Sequence, residues 1–263
     1  MTVNADREAL LDVLACPVCR GVLVAGRSGL ECSECGKAYT FAHEVPVMTE
    51  DQSSEGPSVL ARLHYALLGN QRAYDLQQAV GGGRDIARNV QRKLHPERGQ
   101  TLLDIGAGTG MAASLLPAHT TYIWCDNDKL KLRGFLSRGI DSMAVLGDAV
   151  RLPFRDGAAD WTLMVDVSHH IPDGALDTCF SDIARVTSER FVFSDAVRSR
   201  RLRARILWQL DLGRYPRTED ELLAALDVDF TVDEIERFRI NHDHIICVCT
   251  PRAAEPRDAA PSA

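Results

Sequence analysis

Residues 102–110 read LLDIGAGTG, and this run restricts the fold more than any other part of the chain. An apolar, strand-like stretch ends in a turn holding three glycines and leads into a helix expected to begin near Met111. Glycine serves there because the backbone must turn tightly and let a ligand approach where a Cβ would intrude. Spacing then separates the ligands. A dinucleotide fingerprint is GxGxxG, but Met111 stands at its sixth position and the run is instead DxGxGxG from Asp104. An acidic residue at the head of the turn is poorly suited to an anionic pyrophosphate. It suits a ligand bearing ammonium and sulfonium charges.

Residues 101–105, 121–125, 143–146, 161–167, 190–193 and 245–249 read as short apolar strands separated by helical stretches. Residues 230–239 (FTVDEIERFR) alternate, predicting a further strand hairpinned to the last one. The pattern predicts an α/β fold: a Rossmann-like, mostly parallel sheet with helices on both faces. The second strand ends in TYIWCDND, putting Asp126 and Asn127 at its tip, where a carboxylate can accept both hydroxyl hydrogen bonds of a ribose. The third leads into LGDAVRLPF, putting Asp148 and Ala149 at the next tip, suited to the exocyclic amine of adenine. In an open α/β sheet these tips border one crevice, so the carboxylates and the glycine turn describe a nucleoside ligand without phosphate.

The chain of 263 residues is long enough for one such domain and a small module, and 45% of it is apolar. No apolar run approaches the roughly 20 residues of a membrane helix. Asp6, Arg7, Glu8 and Asp12 stand where a signal peptide would be apolar, so a cytoplasmic protein is expected. A net charge of -7 gives no general electrostatic grip on nucleic acid, leaving only a local basic patch to provide one. The expected organisation is a zinc-binding module at 1–50, a polar linker at 51–58, and a helical lead-in and substrate cover at 59–98, broken by Gly81-Gly82-Gly83. The donor-binding domain follows at 99–250, with a disordered tail at 251–263.

Four of the eight cysteines, Cys16, Cys19, Cys32 and Cys35, form two CxxC pairs; Cys125, Cys179, Cys247 and Cys249 fall in apolar surroundings and read as core. Two such pairs can supply the four thiolates of a closed structural Zn2+ site. About 50 residues bury too little surface to be stable alone, and metal binding supplies the missing free energy. A disulfide pairing fits the compartment less well. His43 is read as a bystander.

The segments DIGAGTG (104–110), CDND (125–128), GDAVRLPFRDGAAD (147–160) and DVSHHIPD (166–173) followed by ARV (184–186) together resemble class I S-adenosylmethionine-dependent methyltransferases. The likeness is to the quinone-biosynthesis-type and related small-molecule enzymes and covers roughly residues 99–250. It implies that Asp104, Gly106, Ala107, Gly108 and Gly110 face the methionine part of S-adenosylmethionine, Asp126 and Asn127 the ribose, and Asp148 and Ala149 the adenine, with Asp166 at the fourth strand tip. Thr187-Ser188-Glu189 replaces the usual proline-glycine-glycine turn before the fifth strand. LLDVLACPVC and LECSECGKAYTFAHEVPVM resemble the zinc ribbon of the small tRNA-methyltransferase activator family. In placement they are similar to the N-terminal zinc finger of bacterial large-subunit ribosomal RNA guanine methyltransferases. Either likeness makes RNA a candidate substrate, although such ribbons also act as packing surfaces or lids.

Methyl transfer from a sulfonium is an in-line displacement that requires alignment, and a base when the acceptor must lose a proton. Asp166, His169 and His170 follow the fourth strand, and His169 is the first choice as proton acceptor, with Asp166 beside it. The same His-His pair also reads as packing for the following helix. After the fifth strand comes Asp195, then RSRRLRARILWQL, in which Arg198, Arg201 and Arg205 share a helical face. These arginines read as a grip on a phosphate or carboxylate of the acceptor, as a basic surface touching anionic lipid, or as a solvated face. Tyr215 and Arg217 add to a pocket rim, and Thr218 caps a helix at 222–226. The sequence therefore points first to a small-molecule or lipid-like acceptor, with peripheral membrane contact open. RNA is the second choice, and a non-catalytic donor-binding partner subunit the third; the oligomeric state is left unassigned.

Overall fold

The computed structural model describes residues 7–26, 29–49, 82–198 and 214–253. The expected linker, the lead-in as far as Gly81, the tail from residue 254, Arg201 and Arg205 lie outside these residues. Strands β6 (Thr101–Ile105), β7 (Thr121–Asp126), β8 (Met143–Leu146), β9 (Ala159–Val165), β10 (Thr187–Val197), β11 (Phe230–Arg239) and β12 (Asp243–Pro251) form one seven-stranded sheet in the order β11-β12-β10-β9-β6-β7-β8. All neighbours are parallel except β12, which runs antiparallel to both β10 and β11. The chain leaves β6 toward one edge and returns to β9 on its other side. This reversal opens a crevice beyond the C-terminal ends of β6 and β9, where ligands of open α/β sheets bind.

Among the described residues the helices are α1 (Arg7–Val13), α2 (Gly83–Gln91), α3 (Lys129–Leu136), α4 (Asp173–Val186) and α5 (Glu219–Asp229). The sheet's two faces are buried in separate apolar clusters. One contains Phe180, Ile183, Phe191, Phe193 and Phe230; the other contains Val90, Trp124, Phe135, Leu163 and Val192. Cys125, Cys179, Cys247 and Cys249 are buried, as the sequence predicts for core residues.

Three local differences from the sequence reading have physical causes. The helix expected from Met111 is a 3₁₀ turn, Ala112–Leu115, because Pro117 denies the segment a continuing helical N–H. The strand expected at 190–193 spans Thr187–Val197, and no turn precedes it. Helix α4 runs directly into β10 at Thr187, whose hydroxyl bonds the Ile183 carbonyl at 2.6 Å and the Thr162 hydroxyl at 2.8 Å. Thr187-Ser188-Glu189 is thus strand, which removes the need for a proline-glycine-glycine turn. The α5 helix is longer than 222–226, and Thr218 does cap it, in a reciprocal box with Glu221.

The N-terminal module holds a three-stranded sheet of β1 (Leu23–Ala25), β2 (Leu30–Cys32) and β3 (Ala38–Tyr39), and a hairpin of β4 (Phe41–Ala42) and β5 (Val45–Pro46). The hairpin turn places His43 and Glu44 at positive φ, and His43 stands outside the thiol group. The module docks on the edge of the large sheet. Val47 pairs in parallel with Leu146 of β8, and the Met48 N–H donates to the Leu146 carbonyl at 2.7 Å. Leu14 pairs antiparallel with Phe154, flanked by Ala15 N–H to Pro153 O and Arg155 N–H to Val13 O. The bonds to Leu146 satisfy part of the β8 edge that would otherwise present unpaired backbone groups, and the others tie the module to the loop after β8. Leu10, Leu14, Leu23 and Leu30 join the apolar cluster of the large domain.

Candidate active site

The turn after β6 is held by its own backbone. Gly106, Gly108 and Gly110 have φ of 70°, 58° and 74°, in the left-handed region that disfavours a side chain. A Cβ on Gly106 would stand 2.3 Å from Val167, and one on Gly110 2.4 Å from Phe135. The N–H groups of Gly106 and Ala107 both donate to the Cys125 carbonyl, at 2.8 and 3.1 Å, tying the turn to the end of β7.

Asp126 ends β7 and is buried. Its Oδ2 accepts the Gly108 N–H and its Oδ1 the Asp128 N–H, each at 2.9 Å, with Lys131 Nζ 3.6 Å away. A carboxylate has about four lone-pair positions. The two backbone bonds therefore leave each oxygen able to accept a further hydroxyl, as two adjacent ribose hydroxyls require. Asp148 sits beyond β8, its carboxylate accepting the Val150 N–H at 3.0 Å. Asp104 lies beneath the turn: it is 4% exposed and receives the Tyr122 hydroxyl at 2.6 Å. Burial, reinforced by the negative charge of Asp126 and opposed by the Tyr122 hydrogen bond, pushes its pKa up to about 7.

At the fourth strand tip Asp166 takes φ 54°, an uncommon conformation for a non-glycine residue and one that clusters at functional sites. A 3₁₀ turn, Ser168–His170, follows and carries the His-His pair, with ring centroids 4.3 Å apart. His169 is buried, and its Nδ1 lies 2.6 Å from Oδ1 of Asp195, a fully buried residue of β10. The Ser168 hydroxyl and the Ala196 N–H also donate to Asp195. Burial alone would raise the Asp195 pKa; the charge and hydrogen bond of His169, with the Ser168 and Ala196 donors, lower it on balance. Asp195 is therefore a carboxylate that can only accept, so Nδ1 of His169 carries a proton toward it, and in the neutral ring Nε2 is the nitrogen left to accept one.

His244 of β12 approaches from the other side, 3.7 Å from Asp166 and stacked on Phe238; burial lowers its pKa. A cavity of about 530 Å³ opens at the hairpin end of β11 and β12, lined by Val197, Arg198, Glu219, Arg237, Phe238, Arg239, Asp243 and His244. Each of its guanidinium groups is ion-paired: Arg198 with Glu221, Arg237 with Glu219 and Arg239 with Asp243. Tyr215 donates its N–H to the His169 carbonyl at 3.0 Å.

The sequence reading singled out His169, His170 and Asp166, and these three lie together. It named Asp195 without a role and did not mention His244. Asp195 had a usable signal: a charged residue late in the apolar run FVFSDAV, much as Asp126 ends TYIWCD.

In the module, the sulfurs of Cys16, Cys19, Cys32 and Cys35 all lie within 4.8 Å of one another. Cys16 and Cys35 are 3.7 Å apart and Cys19 and Cys32 3.4 Å, far beyond a disulfide bond and close to the edges of a tetrahedron with metal–sulfur bonds of about 2.3 Å. The donor set fits zinc. Arg20 and Gly36 occupy equivalent left-handed positions just after each CxxC, and the Tyr39 hydroxyl reaches Cys16 at 3.0 Å.

Residues 103–190 match the family described as Methyltransferase domain, and residues 7–40 the family described as Trm112p-like protein. The chain is an S-adenosylmethionine-dependent methyltransferase. Its N-terminal module belongs to the Trm112p-like family. The UPF0434 protein of Nitrosococcus oceani is 40% identical over 50 residues, which are 18% of this chain and 85% of that protein. Among solved structures, the PH0226 protein of Pyrococcus horikoshii OT3 matches 75% of this chain and 100% of its own, at 17% identity and TM-score 0.56. A chain in the complex of the Haloferax volcanii Trm112 methyltransferase activator with a methyltransferase matches 68% of this chain and 95% of its own, at 16% identity and TM-score 0.58. Both likenesses are of fold. Among the described residues no helix is long and apolar enough to cross a membrane.

Proposed function

We propose that the protein methylates a small-molecule or lipid-like acceptor, with His169 taking the proton that the acceptor loses. The observation that carries this reading is the buried His169–Asp195 pair beside the crevice. When bound, S-adenosylmethionine would supply an electrophilic methyl group, its sulfonium–methyl bond breaking to leave the neutral thioether S-adenosylhomocysteine. Asp126 holds the ribose hydroxyls, Asn127 lies beside it, Asp148 and Ala149 border the adenine, and the turn from Gly106 to Gly110 admits the methionine part. Nε2 of His169 accepts the acceptor's proton, and Asp195 stabilises the imidazolium that results. Four cysteine thiolates hold a structural zinc that keeps the module folded.

The charge distribution supports a small acceptor. The module carries Arg7, Arg20, Arg27 and Lys37 against Asp6, Glu8, Asp12, Glu31, Glu34, Glu44 and Glu50, and the cavity's guanidinium groups are paired with carboxylates. A polyphosphate backbone finds little net attraction there. A second reading, methylation of an RNA base, draws on the Trm112p-like match of the module.

Incubation with methyl-labelled S-adenosylmethionine and cell extract, followed by separation into RNA, protein, lipid and metabolite fractions, tests the proposal. Label is expected in the metabolite or lipid fraction; label in RNA would establish the second reading instead. His169→Ala is expected to lower kcat by about 10²- to 10⁴-fold with donor affinity retained. Asp126→Ala is expected to abolish donor binding by calorimetry in a folded protein.

A further inference from the structure

We infer that Arg217 is a positioning residue for the turn that carries His169. This rests on the reading of His169 as proton acceptor. Arg217 precedes the capping threonine of α5, far in sequence from the turn, yet it is 6% exposed. Its Nη1 donates to the Ser168 carbonyl at 2.7 Å, and its Nη2 to the Ile171 carbonyl and the Asp173 carboxylate, each at 2.7 Å. Tyr215 holds the His169 carbonyl between these two points. The carbonyls of Ser168, His169 and Ile171 are thus all gripped from residues 215–217, and the Arg217 carbonyl is itself fixed by the Arg198 N–H at 2.6 Å.

The helix dipole does not favour this placement. A cation beside the N-terminus of α4 opposes the helix dipole, and its ion pair with Asp173 lies on the exposed side. What the guanidinium provides is geometry. Its planar fork spans carbonyls on either side of the histidine pair, which a lysine ammonium, a point charge, cannot do. Asp195 fixes one nitrogen of the imidazole from β10, while Arg217 fixes the backbone from the approach to α5. Two independent anchors define the position of Nε2, and a displacement of about 1 Å can cost on the order of 10²-fold in rate.

The test is a cycle of His169→Ala, Arg217→Ala and the double variant. It is assayed by label transfer from tritiated S-adenosylmethionine to the extract fraction that accepts it, with donor affinity measured by calorimetry. Arg217→Ala is expected to lower kcat about 10- to 100-fold with donor Kd within about threefold of wild type, and to add nothing in the His169→Ala background. Guanidinium ion at low millimolar concentration is expected to restore part of the loss, and Arg217→Lys to fall between wild type and Arg217→Ala. Full kcat in Arg217→Ala, or a loss that multiplies with that of His169→Ala, would overturn the assignment while leaving the histidine's role standing. Full kcat in His169→Ala would instead remove the base. Should Arg217→Ala fail to fold, Arg217→Lys carries the same cycle. Imidazole-carbon NMR provides a readout independent of any acceptor: the His169 signals are expected to be single in wild type and doubled or broadened in the variant. Unchanged signals would count against the proposal.

Discussion

Asp104 shows how a single buried carboxyl group can lower the stability of the fold that holds it. In the unfolded chain it titrates near 3.8, and in the fold near 7. Below pH 4 both states hold the proton and the group is neutral to stability. Between pH 4 and 7 the unfolded chain releases its proton first, so stability falls as pH rises, and above 7 the loss, a few kcal/mol at most, is complete. Asp104→Asn is therefore expected to unfold at a higher temperature than wild type at pH 8, the difference shrinking toward pH 4. If the carboxylate answers the cationic donor, the same variant binds S-adenosylmethionine more weakly at pH 8; an unchanged Kd would leave Asp104 as a support for the turn alone. Gly106→Ala tests the opposite kind of constraint. A methyl group 2.3 Å from Val167, on a residue at φ 70°, is expected to cost about 1–3 kcal/mol and to lower donor affinity, measured by thermal melting and calorimetry. Such residues were legible because local spacing betrays them. The partners of Asp195 and Arg217 were not, since those contacts lie 26 and 49 residues away at His169 and Ser168, although the position of Asp195 late in its strand was itself visible.

The elements of the large sheet were legible for the same local reason: short apolar runs bounded by glycine, proline and charge, with the β11 strand matching its alternating sequence end for end. Where a boundary failed, a long-range partner had overridden local preference, as when pairing with β9 and β12 extends β10 at both ends. The docking of the N-terminal module could not be read at all, because no local pattern announces that Val47 will meet Leu146 or that Leu14 will meet Phe154. Its consequence is specific. The loop proposed to border the adenine, residues 148–154, is fixed from one side by the module through Ala15 and Pro153. From the other side α4 holds it, Asp182 accepting the Leu152 N–H at 2.6 Å and Arg185 donating to the Leu152 and Phe154 carbonyls. Arg20, just after the first CxxC pair, reaches Asp182 at 3.5 Å. Removing zinc with a chelator, or substituting Cys32→Ser, is expected to release this contact: amide exchange should rise across residues 143–156 as well as in the module, and donor affinity should fall. Faster exchange confined to residues 7–49, with unchanged Kd, would show that the loop stands without the module.

At the scale of the whole molecule, charge and architecture point to different partners. The fold joins a Trm112p-like module to a methyltransferase domain, and the resemblance of that module to a tRNA-methyltransferase activator is what the second reading, an RNA acceptor, draws on. The net charge of -7 and the paired guanidinium groups around the cavity argue otherwise. The two can be separated without knowing the acceptor, because each phosphate neutralised by a protein cation releases counterions and makes binding depend steeply on salt. Transfer of label to an extract fraction, followed from about 50 to 200 mM salt, is expected to change by less than about threefold; an RNA acceptor making 6–10 phosphate contacts would lose roughly 10³- to 10⁵-fold in affinity over that range. Donor binding, measured in parallel, controls for any effect of salt on the fold. A steep slope in transfer with a flat one in donor affinity would mean that a polyanion is held on a surface the described residues do not display, and would transfer the assignment to RNA.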